Sequence, residues 1–125
     1  MNNAIVLVAR LLLGHIFLLA GLGKITGYAG TQGYMESMGV PGVLLPLVIA
    51  LEIGGSLAVI LGFLTRWAAL LLSGFCLVAA LIFHRNFSDQ MQMIMFMKNF
   101  AIAGGFLLLY VQGAGAYSID AKRAG

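Results

Sequence analysis

Glu52 is the sole acid in a run from Val43 to Leu64 whose other members are apolar or small, Pro46 and Ser56 excepted. A carboxylate at the centre of a bilayer costs about 2.5–3.5 kcal/mol on insertion scales, so it calls for a counter-ion, a proton or a task. Lys98-Asn99, His84, Lys24 and Arg10, each in or beside another apolar run, supply candidates for all of these. Such a set can exchange protons, a histidine titrating near neutral pH. It can also donate hydrogen bonds to an anion or to carbonyl oxygens in an apolar pocket. The alternative is structural: Glu52 pairs with Lys98 or Arg10, and the pairing offsets part of the desolvation of both ions. Because Lys24, Lys98, His84 and Asn99 exceed what one carboxylate neutralises, a ligand-binding cavity stays open beside the ion pair.

Other polar and sulfur-bearing residues point less far. Cys76 stands alone in an apolar stretch, with neither a disulfide partner nor a CxxC pair, and reads as a small packed hydrophobe. Met91, Met93, Met95 and Met97 alternate, but on a helix alternate residues do not share a face, so no metal site is expected. His15 falls on a different face from Arg10 and Lys24 and reads as an imidazole hydrogen-bonded within the bundle.

The elements that must position these groups follow from composition. Of 125 residues, 62% are hydrophobic and 9% charged, against roughly 25% charged in a soluble domain; mean hydropathy is +1.03. This is the composition of an integral membrane protein. At roughly 20 residues per crossing, the apolar runs give helices near residues 4–24, 42–64, 67–84 and 93–112. The expected fold is all-α, an antiparallel bundle of four transmembrane helices forming a single domain over residues 1–125, with an interfacial loop between helices 1 and 2. That connection, Lys24 to Pro41, carries Gly27, Gly30, Gly33 and Gly39 beside Tyr28 and Tyr34, the mixture of an ordered cap with aromatic anchors. Thr65-Arg66 is the expected tight link between helices 2 and 3, and residues from Gly113 onward are polar enough to lie outside the bilayer. The first segment reads as a retained helix rather than a signal peptide, because no Lys or Arg precedes its apolar stretch and Arg10 and His15 interrupt it.

Along helix 1, Arg10, Gly14, Phe17, Gly21 and Lys24 share a stripe; along helix 2 and its end, Glu52, Ser56, Val59, Phe63 and Arg66 do. Counting Lys and Arg favours both termini in the cytoplasm, with Lys24, Arg85 and Lys98 opposite. A net charge of +3 without a basic cluster fits loops facing anionic lipid, not nucleic acid.

With these positions in hand, the chain resembles the DoxX family of small four-helix bacterial inner-membrane proteins. The likeness rests on Arg10-Leu-Leu-Leu-Gly14, Phe17-Leu-Leu-Ala-Gly21-Leu-Gly-Lys24 and Tyr34-Met-Glu-Ser-Met-Gly39-Val-Pro41. It continues through Glu52-Ile-Gly54-Gly55, Leu61-Gly-Phe-Leu-Thr-Arg66, His84, Lys98-Asn99 and Ala103-Gly104-Gly105. The family includes proteins associated with thiosulfate:quinone oxidoreduction and others linked to quinone or thiol stress, so the resemblance implies a redox connection. On that footing Lys98, Asn99 and His84 would donate to quinone oxygens, Glu52 would move protons, and Lys24 and Arg10 would hold substrate. Glu52, His84 and Lys98 are then the catalytic set, and quinone is a diffusible substrate rather than a covalently bound cofactor. No haem-ligand pair, iron–sulfur cysteine set or dinucleotide glycine motif is present, so electrons must come from a substrate or a partner subunit. The competing expectation is a non-enzymatic scaffold, or a small carrier of protons or weak acids. Expected partners are the lipid bilayer, quinone, other redox-complex subunits and further copies of the chain.

Overall fold

The computed structural model describes residues 3–83 and 88–124. In chain order the helices are α1 (Asn3–Thr26), α2 (Tyr28–Ser37), α3 (Leu45–Leu61, entered through a 3-10 turn at Gly42–Leu44), α4 (Thr65–Phe83), α5 (Gln90–Gln112) and α6 (Ile119–Ala124). Four of these segments are long and apolar enough to cross a membrane. Hydrocarbon offers no partner to backbone amides and carbonyls, so chains this apolar satisfy them within helices.

Local chemistry sets the ends. Pro46 lies in the first turn of α3, where its missing N–H breaks no ladder bond. Gly62 stops that helix in the left-handed conformation, φ 74°, and the Phe63 amide closes on the Ala58 carbonyl at 2.8 Å. The α3–α4 hairpin thus turns over Gly62–Leu64, and Thr65 already belongs to α4. At the start of α5, the Asp89 carboxylate accepts from the Met91 amide at 3.0 Å.

The bundle is assembled from two intimate pairs. In α1 against α3, a methyl group at Gly14 would come within 2.7 Å of Ile60, and one at Gly21 within 2.6 Å of Ile53, so only glycine admits this approach. In α4 against α5, the Ser73 hydroxyl donates to the Ala103 carbonyl at 3.1 Å. Phe17, Val59, Leu72, Cys76, Ala103 and Phe106 form the shared core. The seam between α3 and α4 is looser than either pair, and that between α1 and α5 is looser still.

The α1–α3 connection is ordered, as its anchors suggest, and most of it is helical. Met35 is buried under α2, and the Tyr34 ring stacks on Phe83 with centroids 5.5 Å apart. The C-terminal tail does more than leave the bilayer: it folds across the end of the bundle that holds the N-terminus. The Ala116 amide donates to Asn3 Oδ1 at 3.3 Å, the Asp120 amide to the Gly62 carbonyl at 2.7 Å, and Arg123 lies 5.1 Å from the centroid of the Phe63 ring.

Asp120 caps α4 from a distance in sequence, its carboxylate accepting from the Leu64 amide at 2.7 Å and the Thr65 amide at 2.9 Å. Partial burial works to raise its pKa, but the hydrogen bonds from Thr65 and Leu64 and the Arg123 charge outweigh it and hold the group below the usual carboxylate range. With the folded value depressed, the stabilisation is fully present above an unfolded value of about 3.9 and is lost as pH falls through the folded value. Asp120→Ala should lower stability in detergent by about 1–2 kcal/mol, as loss of a helix cap does. The gap between wild type and variant in thermal denaturation should narrow below pH ~4; a gap that stays constant into acid would show that the carboxylate contributes nothing through its charge.

Candidate functional site: an ion pair in an apolar cavity

The helix ends remote from the termini enclose a cavity of about 340 Å³. Ile16, Phe17, Ala20 and Lys24 of α1, Val48 and Glu52 of α3, and Phe75, Cys76 and Ala79 of α4 form much of its wall. Met95, Asn99 and Ile102 of α5 complete the wall, and Thr31, Tyr34 and Met35 of α2 roof it. The lining is mostly apolar, with few polar groups, the composition of a small-molecule site.

Glu52 sits on the inward face of α3, its side chain 3% exposed, with Oε1 2.8 Å from Lys24 Nζ. Lys24 reaches the carboxylate from the last turn of α1, where a cation also complements the helix dipole. The close approach at Gly21 brings the two backbones within range: a methyl there would lie 3.4 Å from Glu52 Cβ. The pair leaves the lysine side chain 27% exposed, so the carboxylate is linked through it toward the helix ends. Such an arrangement can hold a proton, pass it outward, and present an ammonium group and the Asn99 amide to an oxygen-bearing guest.

The partner of Glu52 is therefore neither of those expected from sequence. Arg10 lies at the opposite end of the bundle and is fully buried. Its guanidinium donates to the carbonyls of Val59 at 3.4 Å, Ile60 at 3.3 Å and Tyr117, closing the end of α3 against the tail. A planar fork with several donors suits three carbonyls better than one distant carboxylate. Lys98 is exposed on α5 while its neighbour Asn99 lines the cavity; a step of about 100° per residue separates their directions. Lys24, Glu52 and Asn99 are thus brought together, and Arg10 and Lys98 stand apart from them. His84 lies outside the described residues. Cys76 and Tyr34 reach the cavity as well; a lone cysteine gives no sequence signal, and Tyr34 showed itself only as an interfacial aromatic. The methionine run divides, Met95 facing the cavity and Met91, Met93 and Met97 exposed. His15 is exposed, its Nδ1 2.7 Å from the Leu12 carbonyl of its own helix.

Residues 5–85 match the family model described as DoxX. Inner membrane protein YqjF of Escherichia coli (strain K12) is 63% identical over 115 residues, an alignment covering 92% of this chain and 88% of that protein. Inner membrane protein YphA of the same strain is 38% identical over 125 residues, covering 94% and 89%. No solved structure gives a significant match.

Proposed function

Because the chain belongs to the DoxX family of inner-membrane proteins, we propose that it is a quinone-linked oxidoreductase, or a subunit of one, whose quinone ring enters the cavity beside Glu52. The observation that carries this reading is an apolar cavity of about 340 Å³ among the membrane-spanning helices, whose wall holds the Lys24–Glu52 ion pair and the Asn99 amide. That volume is at the small end of ligand pockets, about 300–1,000 Å³, and suits a ring with the first part of its chain, the remaining tail staying in lipid.

In this scheme the Asn99 amide and the Lys24 ammonium donate to the quinone oxygens and stabilise the charge that builds there during reduction. Glu52 hands a proton to the ring oxygen and regains it along Lys24. Electrons come from a reduced sulfur compound. With two thiols as donor, two S–H bonds break, one S–S bond forms, and the two quinone oxygens each gain a hydrogen. With both termini in the cytoplasm, as the Lys and Arg distribution favours, the cavity opens in the outer half of the membrane.

Purified protein in liposomes should bind decylubiquinone saturably and reduce it with dithiothreitol or thiosulfate. Glu52→Gln should lower kcat by about 10²-fold, the common contribution of a general acid or base, with little change in KM, whereas Asn99→Leu should act chiefly on KM. Absence of binding and turnover, with or without neighbouring subunits, would refute the assignment.

A second reading draws on the 2.8 Å Lys24–Glu52 contact itself: a charge consumed by pairing can serve to fix helix register in a scaffold, or relay protons in a small carrier. Proton flux into liposomes that disappears in the Glu52→Gln protein, without quinone turnover, would favour the carrier. Normal assembly of a larger complex with the same variant would favour the scaffold.

A further inference from the structure

Lys98 is a cation on the outer surface of a membrane-spanning helix, and among the described residues it has no ion-pair partner. Its level can be read from packing. A methyl at Gly105 would lie 3.1 Å from Leu13, so those two residues mark one height on the antiparallel helices α5 and α1. Seven residues toward the cavity end, about 10 Å along each axis, come Lys98 on α5 and Ala20 on α1. The adjacent Gly21 packs on Ile53 and Glu52, so Lys98 stands level with Glu52. It is also about 12 Å inside the start of α5 at Gln90. All four acids of the chain, Glu36, Glu52, Asp89 and Asp120, are among the described residues, and none forms an ion pair with Lys98.

Direction follows from the same register. Lys98 is two helical turns from Gly105 and so lies on the flank of α5 that faces α1. This is the loosest seam of the bundle, and at this height the cavity lies between the two helices, walled by Ile16 and Ala20 on one side and Met95, Asn99 and Ile102 on the other. Each of those five is only half-buried, and Lys98, which is exposed, neighbours Met95, Asn99 and Ile102 on the surface of α5. An uncompensated cation at this depth is costly and is retained where it meets an anion.

We infer that the gap between α1 and α5 is a lateral portal and that Lys98 binds the acidic group of a membrane-dissolved amphiphile whose apolar body enters the cavity. The guest is a monoanion at the charge-bearing end, either an ionised free acid or the phosphate of a lipid. The inference uses the cavity and its exposed cation, not quinone chemistry, and it gives the site a preference that an uncharged guest does not show.

Native mass spectrometry of the detergent-released protein tests it, with wild type, Lys98→Arg and Lys98→Gln each presented with decanoate, decanol, phosphatidylglycerol and phosphatidylcholine. Wild type and Lys98→Arg should retain an anionic guest over its neutral counterpart by about tenfold, and Lys98→Gln should lose that preference while binding decanol as before. Preference for decanoate over decanol identifies a free acid; preference for phosphatidylglycerol alone identifies lipid phosphate. Equal retention of both anions by wild type and Lys98→Gln would overturn the inference. Decylubiquinone binding, read on the same samples, separates this result from the quinone assignment, because that guest carries no charge for Lys98 to recognise.

Discussion

Lys24→Met should destabilise the folded bundle by about 3 kcal/mol, the lower part of the range for breaking one partner out of a buried ion pair. The loss comes from Glu52 rather than from the lysine. The carboxylate side chain is 3% exposed and keeps its place among apolar neighbours when its counter-charge is gone, whereas the lysine, 27% exposed, already has part of its hydration. The double variant Lys24→Met/Glu52→Leu removes both charges and should recover most of the loss, since an apolar replacement of a whole buried pair is often neutral or better. Detergent-denaturant titration of the two single variants and the double variant gives the coupling directly. If the double variant is as unstable as the sum of the singles, the pair is not a unit and the register of α1 on α3 rests on the glycines alone.

Arg10→Ala should have a comparable or larger effect, about 3–5 kcal/mol, because hydrogen bonds to a charged donor contribute roughly 1.5–3 kcal/mol each and this side chain makes several. It is fully buried, and it joins α1, the end of α3 and the tail through the carbonyls of Val59, Ile60 and Tyr117. Arg10→Lys keeps the charge but not the fork, and should recover less than half of the loss. Gly62→Ala provides an independent approach to the same junction: it would place a methyl on a residue at φ 74° and drive it against the Arg10 guanidinium and Ser118. Thermal unfolding should rank wild type above Arg10→Lys, and Arg10→Lys above Arg10→Ala. An Arg10→Ala protein as stable as wild type would show that the tail docks without it.

Part of this arrangement was legible in the sequence because the bilayer restricts the options. Long apolar runs yield helices, and the stripe of Arg10, Gly14, Phe17, Gly21 and Lys24 does face inward: the first four are buried and the fifth reaches Glu52. What the stripe does not disclose is level. Arg10 and Lys24 share a face yet serve opposite ends of the molecule, and the choice between them follows from the Gly14–Ile60 and Gly21–Ile53 contacts, which belong to packing between helices. The Lys98-Asn99 step is ambiguous for a related reason: two adjacent polar residues cannot both face inward, and nothing in their order says which does. The tail escaped notice because Asp120 bonds amides more than fifty residues away, a relation without local periodicity.

The unequal seams of the bundle give it a mechanical character. Two closely packed helix pairs, joined more firmly along α3 and α4 than along α1 and α5, have the layout of a clasp. If a guest spreads these pairs, lipid tails are pushed aside and filling the cavity does work against the lateral pressure of the surrounding membrane. On the proposal of a lateral portal, a guest would bind more weakly where acyl chains are tightly ordered and more readily where they are fluid, so that the composition of the bilayer would regulate occupancy without touching any residue of the site.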